Sequence, residues 1–169
     1  AMPARIDEDS LRQAMQADGA SPRDIADALA EHKALKLARR HPEALVLGCD
    51  QIMEFGGQCL GKPASVPEAR ERLLAMRGRA HRLFTAAVLY DRGEPVWRHV
   101  ARAELTMREF SERFLDAYLA ELGDAALQTV GAYAVEERGI RLFQRIDGDL
   151  FGILGLPLVE LLAALARRG

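Results

Sequence analysis

Cysteine is scarce in this sequence, and long apolar runs are absent. Only Cys49 and Cys59 occur among 169 residues, which is too few for a disulfide scaffold and fits a reducing compartment. No apolar run approaches the roughly 18 residues of a membrane-spanning helix, and the first residues contain no apolar signal-peptide core. We therefore expect a cytoplasmic protein that has no membrane partner.

A strong net charge is also absent. The chain carries 23 basic and 25 acidic residues, which gives a formal net charge of -2. This balance provides no electrostatic support for a nucleic-acid partner. The hydrophobic fraction of 49% and charged fraction of 28% are typical of a globular protein. The length predicts a single domain over residues 1–169.

Motifs for several common chemistries are missing as well. The sequence contains no CxxC, HExxH or P-loop motif and no Ser-His-Asp motif, so zinc, thiol and serine-nucleophile chemistry have no support. What remains is a set of acids and lysines at predicted strand and loop ends: Glu8, Lys33, Asp50, Lys62, Asp147 and Asp149. Carboxylates can bind a hard divalent cation that bridges to phosphates, and lysines can neutralise phosphate charge. For Asp147 and Asp149, a turn role and a metal or substrate contact are equally open.

One stretch stands out within this set. Residues 44–49 are apolar or small and rich in Leu and Val, and they lead directly into Asp50 and Gln51. This pattern predicts a buried strand. An unpaired carboxylate costs several kcal/mol to bury, so we expect Asp50 where the strand opens into a cleft.

The other elements alternate between helix and strand. Ser21-Pro22 and Ser65 to Glu68 are typical helix starts, and Gly56-Gly57 and residues 91–95 predict hairpin turns. A short strand is expected at 140–144, a turn at 147–149 and a last helix from 156. This order predicts an α/β fold with a mixed, twisted sheet flanked by helices. The hairpins argue against a doubly wound parallel sheet.

Several short segments, taken in order, resemble the Maf nucleotide pyrophosphatases. They are residues 6–8, 30–34, 47–52, 61–63, 76–81, 83–86, 131–139, 146–149 and 155–158. The resemblance implies a fold like that of the inosine triphosphatase group, often a homodimer. It also implies hydrolysis of a nucleoside triphosphate to a nucleoside monophosphate and pyrophosphate, dependent on Mg²⁺ or Mn²⁺.

The resemblance also assigns roles to individual residues. Asp50 matches the proton acceptor for the attacking water, and Glu8 matches an acid near metal and phosphate. Lys33 and Lys62 match the two phosphate-facing lysines, while Glu8 and Asp50 are the implied metal ligands. Asp50-Gln51 and Glu136 resemble the residues found at these places in the family branch that acts on 7-methyl-GTP. Gln51 and Glu136 are therefore the expected specificity residues.

The sequence departs from the family at its front. The family's first strand and Ser-x-Ser-x-x-Arg loop have no counterpart here, and Ser21-Pro22-Arg23 is interpreted as a helix cap. Two alternatives therefore stay open: a catalytically impaired nucleotide-binding or cell-division protein, and an inosine or xanthosine triphosphate pyrophosphatase. His81 is expected to be structural, Trp97 to lie in the core or a dimer interface, and Cys49 to be a small buried residue.

Overall fold

The computed structural model describes residues 8–169. Within this part, six α-helices and five β-strands are interleaved. The helices are α1 Glu8–Ala17, α2 Pro22–Ala38, α3 Val66–Met76, α4 Glu112–Leu122, α5 Leu150–Ile153 and α6 Leu158–Ala166. The strands are β1 Leu45–Phe55, β2 Gln58–Leu60, β3 Ala80–Asp91, β4 Glu94–Met107 and β5 Phe143–Asp147. None of the described helices has both the length and the apolar character needed to cross a membrane.

The five strands form one sheet in the order β2-β1-β3-β4-β5. The predicted α/β class is confirmed. Every strand pair formed by residues 8–169 is antiparallel, so the expected mixed pairing is corrected for this part of the chain. For β1–β2 and β3–β4 the physical reason is local, because a two-residue turn can join only antiparallel neighbours. The pairs β1–β3 and β4–β5 join strands that are distant in sequence.

Two such turns set the pairing of β1 with β2 and of β3 with β4. Gly56 and Gly57 have φ values of 60° and 82°, and Arg92 and Gly93 have φ values of 50° and 83°. Positive φ at both central residues is the geometry of a tight hairpin, and it favours glycine. The predicted turns at both places are confirmed.

The helices begin where the sequence predicts. Ser21 caps α2 by accepting a hydrogen bond from the backbone N–H of Asp24, with Pro22 at the first helical position. Ser65 caps α3 in the same way through the N–H of Glu68. A serine oxygen satisfies one of the N–H groups that a helix start leaves unpaired, so these boundaries are local properties of the sequence.

Apolar side chains fill both faces of the sheet. On one face, Ile25 and Leu29 of α2 pack with Val46, Ile52 and Val88 of the strands. The other face is covered by α3, α4 and the loops near the C-terminus, in a cluster that includes Met53, Leu73, Leu83, Leu105 and Leu115. The sheet is therefore covered on both faces, and a binding site has to open at one of its edges.

The last third differs from expectation in one element. The predicted strand at 140–144 is instead a 3₁₀ helix, Arg138–Leu142, followed by β5 at Phe143–Asp147. Pairing with β4, in which Leu105 faces Ile146, fixes the register of this strand. Periodicity along a short segment carries no information about such a distant partner.

Candidate active site

A cleft of about 550 Å³ opens beside β1. On its outer edge β1 pairs with β2 only over Met53–Phe55, and the preceding residues of that edge have no strand partner within residues 8–169. Side chains from both faces of the sheet can therefore reach the same opening. All six predicted site residues line it: Glu8, Lys33, Asp50, Gln51, Lys62 and Glu136. The volume falls in the range of roughly 300–1,000 Å³ that is typical of small-molecule sites.

Asp50 lies at the inner wall of the cleft and is only 9% exposed. It is in the middle of β1, which continues to Phe55. The predicted cleft is present, but the strand does not end there. The opening arises where β2 ends instead. Alternation along β1 turns Asp50 toward α2, on the same face as Val46 and Ile52.

Gly48 allows α2 to lie close to β1. A Cβ atom at Gly48 would come within 2.3 Å of the carbonyl oxygen of Ala30 and 2.6 Å of the amide nitrogen of Ala34. Both are backbone atoms of α2, so the helix can take this position only against a glycine. Lys33 lies between these two contact points and is thereby held over Asp50.

Lys33 joins the two acidic site residues. Its Nζ donates to Asp50 Oδ1 at 2.5 Å and lies 3.1 Å from Glu8 Oε1. Burial lowers the pKa of the Lys33 ammonium, but the attraction to Asp50 and then to Glu8 outweighs it, and the pKa is raised. Lys33 is therefore a fixed positive charge at neutral pH.

Asp50 is subject to opposing effects. Burial raises the pKa of its carboxyl group and is the largest effect. Lys33 lowers the pKa by charge and hydrogen bonding, Glu8 raises it, and Lys62 lowers it by charge alone, with a net shift upward. A carboxylate with a raised pKa is a better proton acceptor than an exposed one.

The helix α1 carries Glu8 to the cleft through contacts with the edge strand β2. Arg12 donates to the carbonyl oxygen of Cys59 at 2.6 Å, and the side-chain oxygen of Gln16 accepts from the N–H of Cys59 at 3.2 Å. Arg12 and Gln16 are four residues apart, so they share one face of the helix. Together they occupy the outward-facing backbone groups of the edge strand. Arg12 also lines the cleft.

Gln51 faces the opposite side of the sheet from Asp50. Its Nε2 lies within hydrogen-bond distance of Thr85 Oγ1, the Gly152 carbonyl and the Ile153 carbonyl, at 2.8, 3.1 and 3.0 Å. Thr85 itself donates to the Gly152 carbonyl at 2.7 Å. Three acceptors around one nitrogen fix the amide orientation, which leaves the side-chain oxygen of Gln51 as the group that can accept from a ligand.

Glu136 is exposed and lies in the loop between α4 and β5. The loop is anchored by Tyr133, whose hydroxyl is 2.7 Å from Nε2 of His81, and by the N–H of Ala134, which donates to the Tyr118 hydroxyl at 3.3 Å. The expected structural role of His81 is consistent with this buried pair. A Cβ at Gly131 would lie 2.1 Å from the Tyr133 ring, so the loop needs glycine there.

The remaining candidate residues lie elsewhere or are inert. Asp149 caps α5 through the N–H of Gly152 at 2.6 Å, and exposed Asp147 pairs with Arg145 at 3.0 Å. Neither lines the cleft, so the turn interpretation is the better one for both. Burial raises the pKa of Cys49 to about 11, which makes it a poor nucleophile. Trp97 is half-buried beside His99 and lies outside the core.

The expected divalent metal can be tested against these donors. Within residues 8–169, no group of three or more His, Cys, Asp or Glu side chains could hold a metal ion. Mg²⁺ often binds through only one or two carboxylates, with substrate phosphates and waters completing its shell. Glu8 and Asp50 match that smaller requirement. The residues therefore fit a metal that arrives with a nucleotide.

Arg12 and Thr85 belong to the site but were not predicted from the sequence. Arg12 lies four residues after Glu8, so helical spacing places both on the same face and provided a usable signal. Thr85 supports Gln51 from a strand 34 residues away. No local sequence pattern predicts the contact of Thr85 with Gln51.

Comparison with known proteins gives a consistent result. The family model described as "Maf-like protein" matches residues 1–168. A Ruegeria pomeroyi protein named nucleoside triphosphate pyrophosphatase is 52% identical over 165 residues, covering 98% of this chain and 83% of the relative. A Mesorhizobium japonicum protein named 7-methyl-GTP pyrophosphatase is 48% identical over 169 residues, covering 100% of this chain and 85% of the relative. A Rhizobium meliloti protein with the same name is 49% identical over 166 residues, covering 98% and 83%.

Proposed function

The chain belongs to the Maf family, and on that premise we propose that it hydrolyses a nucleoside triphosphate to a nucleoside monophosphate and pyrophosphate. The observation that carries the proposal is the contact of Lys33 with both Asp50 and Glu8, at 2.5 and 3.1 Å, inside a cleft that also holds Lys62. A buried base beside several cations suits water attack on a phosphate. The names of the relatives support the same reaction.

The reaction assigns a task to each group. Asp50 takes a proton from a water molecule, whose oxygen forms a bond to the α-phosphorus. The bond between that phosphorus and the α–β bridging oxygen breaks, and the electron pair leaves with pyrophosphate. Lys33 and Lys62 offset the negative charge of the phosphates. Lys33 also lowers the pKa of Asp50 against the effect of its burial.

A divalent cation, Mg²⁺ or Mn²⁺, fits this arrangement. Glu8 and Asp50 would hold it, with the nucleotide phosphates supplying further oxygens. When bound, such an ion neutralises phosphate charge and orients oxygens for displacement. Asp9 and Glu8 both line the cleft, so carboxylates that can attract a cation are present.

The base-reading end of the cleft favours 7-methyl-GTP. The side-chain oxygen of Gln51 and the carboxylate of Glu136 are both acceptors, and both residues line the cleft. Guanine offers donors at N1 and at its exocyclic amine, whereas a thymine or uracil ring offers one. Methylation at N7 adds positive charge, which strengthens the interaction with a carboxylate.

A nucleotide panel tests the proposal. Pyrophosphate and monophosphate release is measured with 7-methyl-GTP, GTP, dTTP, UTP and ITP, with Mg²⁺ and with Mn²⁺. We expect the highest kcat/KM for 7-methyl-GTP. Highest activity on ITP would favour the inosine triphosphatase alternative. Nucleotide binding without any turnover would favour an impaired binding protein.

Two glutamates test the specificity argument as a matched pair. Glu136→Gln should lower kcat/KM for 7-methyl-GTP roughly tenfold or more, because it removes a charged acceptor. The control is Glu137→Gln, which changes an adjacent exposed glutamate that does not line the cleft. Equal effects of the two substitutions, or a preference of the parent chain for dTTP, would refute the specificity argument.

A homodimer and a cytoplasmic site of action complete the proposal. Exposed apolar side chains on α5, at its C-terminal end and on α6 support the dimer: Leu150, Phe151, Leu154, Val159 and Leu162. Sedimentation equilibrium at micromolar concentration tests it, with Leu162→Asp as the variant expected to shift the chain to monomer. The formal net charge of -2 gives a nucleic-acid partner no support.

A further inference from the structure

A buried arginine outside the predicted site lies between two loops that line the cleft. Arg72 is on α3, and its side chain is only 8% exposed. Its Nη1 donates to the carbonyl oxygens of Gly61 and Val130, each at 2.5 Å. Its Nη2 donates to Glu68 at 2.9 Å. Burying a guanidinium is costly unless its hydrogen bonds are satisfied, so these contacts are the reason that it can be there.

The two carbonyls belong to segments with different tasks. Gly61 directly precedes Lys62, the predicted phosphate contact. Val130 belongs to the loop that carries Glu136, the predicted base contact. The Gly61 and Val130 segments are 69 residues apart in sequence by their numbers, and the Nη1 atom of Arg72 contacts both.

Glu68 strengthens the contact on the phosphate side. Its Oε2 accepts from the N–H of Ala64 at 2.8 Å, while its Oε1 pairs with Arg72. The loop that carries Lys62 is therefore bonded to α3 on both sides of the lysine, at Gly61 and at Ala64. A lysine has a long flexible stem, so fixing its backbone on both sides narrows the region that its ammonium can reach.

We infer that Arg72 is a positioning residue, which sets the distance between the phosphate-binding and base-binding ends of the cleft. It acts through the backbone at Gly61 and Val130 and does not touch the nucleotide. The inference rests on the proposed function, since the two ends are defined by Lys62 and Glu136. A nucleotide spans both ends, so a change in their separation weakens ground-state binding and misplaces the reacting phosphate.

The test compares two arginines of the same helix. Arg72→Gln removes the bridge, whereas the control Arg70→Gln removes an exposed guanidinium that pairs with Glu112 and Asp116 of α4. For Arg72→Gln we expect a rise in KM and a fall in kcat/KM of roughly 10- to 100-fold, in line with an ångström-scale misplacement. Arg70→Gln should retain parental values.

The conservative variant separates positioning from folding. In Arg72→Lys the ammonium can replace Nη1 at the two carbonyls but not the whole guanidinium, so its KM should lie between those of the parent and Arg72→Gln. Partial unfolding would lower the apparent kcat and leave KM unchanged, because it reduces the number of active molecules without altering those that stay folded. A drop in kcat at constant KM, or parental kinetics in Arg72→Gln, overturns the inference.

Hydrogen exchange measured by mass spectrometry gives a readout independent of turnover. Arg72→Gln should speed amide exchange in peptides that cover residues 61–64 and 128–136, and Arg70→Gln should speed neither. If the parent releases no pyrophosphate, the proposed function fails, and exchange still decides whether Arg72 joins the loops. Unchanged exchange in both peptides overturns the inference whatever the activity.

Discussion

At the scale of single residues, the site depends on the balance of burial and charge around Asp50. Burial raises the pKa of this carboxyl group, and Lys33 at 2.5 Å lowers it. The net pKa is raised, so Asp50 stays a stronger base than a surface aspartate. In the proposed reaction Lys33 therefore has a second role besides phosphate contact, because it lowers the pKa of the proposed base.

A charge series predicts how the pH profile moves. Activity is lost as pH falls through the pKa of Asp50, because only the ionised carboxylate accepts a proton. Lys33→Met removes a charge that lowers this pKa, so the acidic limb of kcat/KM moves to higher pH. Lys62→Met moves it in the same direction by less, since Lys62 is the smallest of the contributing causes.

Glu8→Gln should shift the acidic limb of kcat/KM in the opposite direction. The Glu8 charge raises the pKa of Asp50, so its removal moves the acidic limb to lower pH. All three variants lose rate, and only the position of the limb is compared, from kcat/KM measured between pH 4 and 9. If the acidic limbs of all three variants moved in the same direction, the assignment of Asp50 as the titrating base would be contradicted.

At the scale of elements, the contact of α2 with β1 brings Lys33 to Asp50. The 2.3 Å separation between a Cβ at Gly48 and the Ala30 carbonyl shows that the contact leaves no space for a side chain. The helix and the strand thus meet backbone to backbone at this point. Site geometry and packing are set by the same glycine.

Gly48→Ala should damage both properties. Forcing a methyl group against the backbone of α2 costs about 1–3 kcal/mol or more in the free energy of unfolding. It also moves Lys33 away from Asp50, so activity falls in the molecules that stay folded. Urea unfolding and kcat measured on the same samples check this. The loss should grow from Gly48→Ala to Gly48→Val, and parental stability in either variant would contradict the packing argument.

Local signals explain which elements were predictable. Ser21-Pro22 and Gly56-Gly57 determine their own helix start and turn, so sequence alone placed them. The strand Phe143–Asp147 was placed too early, because pairing with β4 sets its register. The antiparallel pairing of the described sheet likewise depends on which strands become neighbours.

The predicted site residues all line the cleft, but the contacts between them were not predictable. The resemblance named Lys33, Asp50 and Glu8, yet the bonds between them depend on how α2 lies on β1. No sequence pattern indicated the contacts of Arg72, because its acceptors are main-chain carbonyls 11 and 58 residues away. Any residue type provides a carbonyl, so sequence cannot mark such partners.

At the scale of the whole molecule, a buried histidine makes stability depend on pH. Burial lowers the pKa of His81 to about 4, against about 6.5 in an unfolded chain. The folded state binds this proton less readily than the unfolded state. Stability is therefore fully present above pH 6.5 and is lost as pH falls toward 4, by about 3 kcal/mol.

His81→Gln should remove this contribution. The difference in unfolding free energy between the parent and His81→Gln should be greatest near pH 7 and shrink by about 3 kcal/mol by pH 4. Urea unfolding at several pH values measures it. The control is His41→Gln, which changes an exposed histidine and should leave the pH dependence of the parent. A constant difference between the parent and His81→Gln would show that His81 does not titrate in this range.

The central claim is that this cleft hydrolyses a nucleoside triphosphate with Asp50 as its base. The most direct measurement is pyrophosphate release from 7-methyl-GTP by the parent and by Asp50→Asn, at equal concentrations of folded protein. The amide keeps the shape of the side chain but cannot accept the proton, so the rate should fall roughly 10²- to 10⁴-fold. Equal rates for the two proteins would contradict the account.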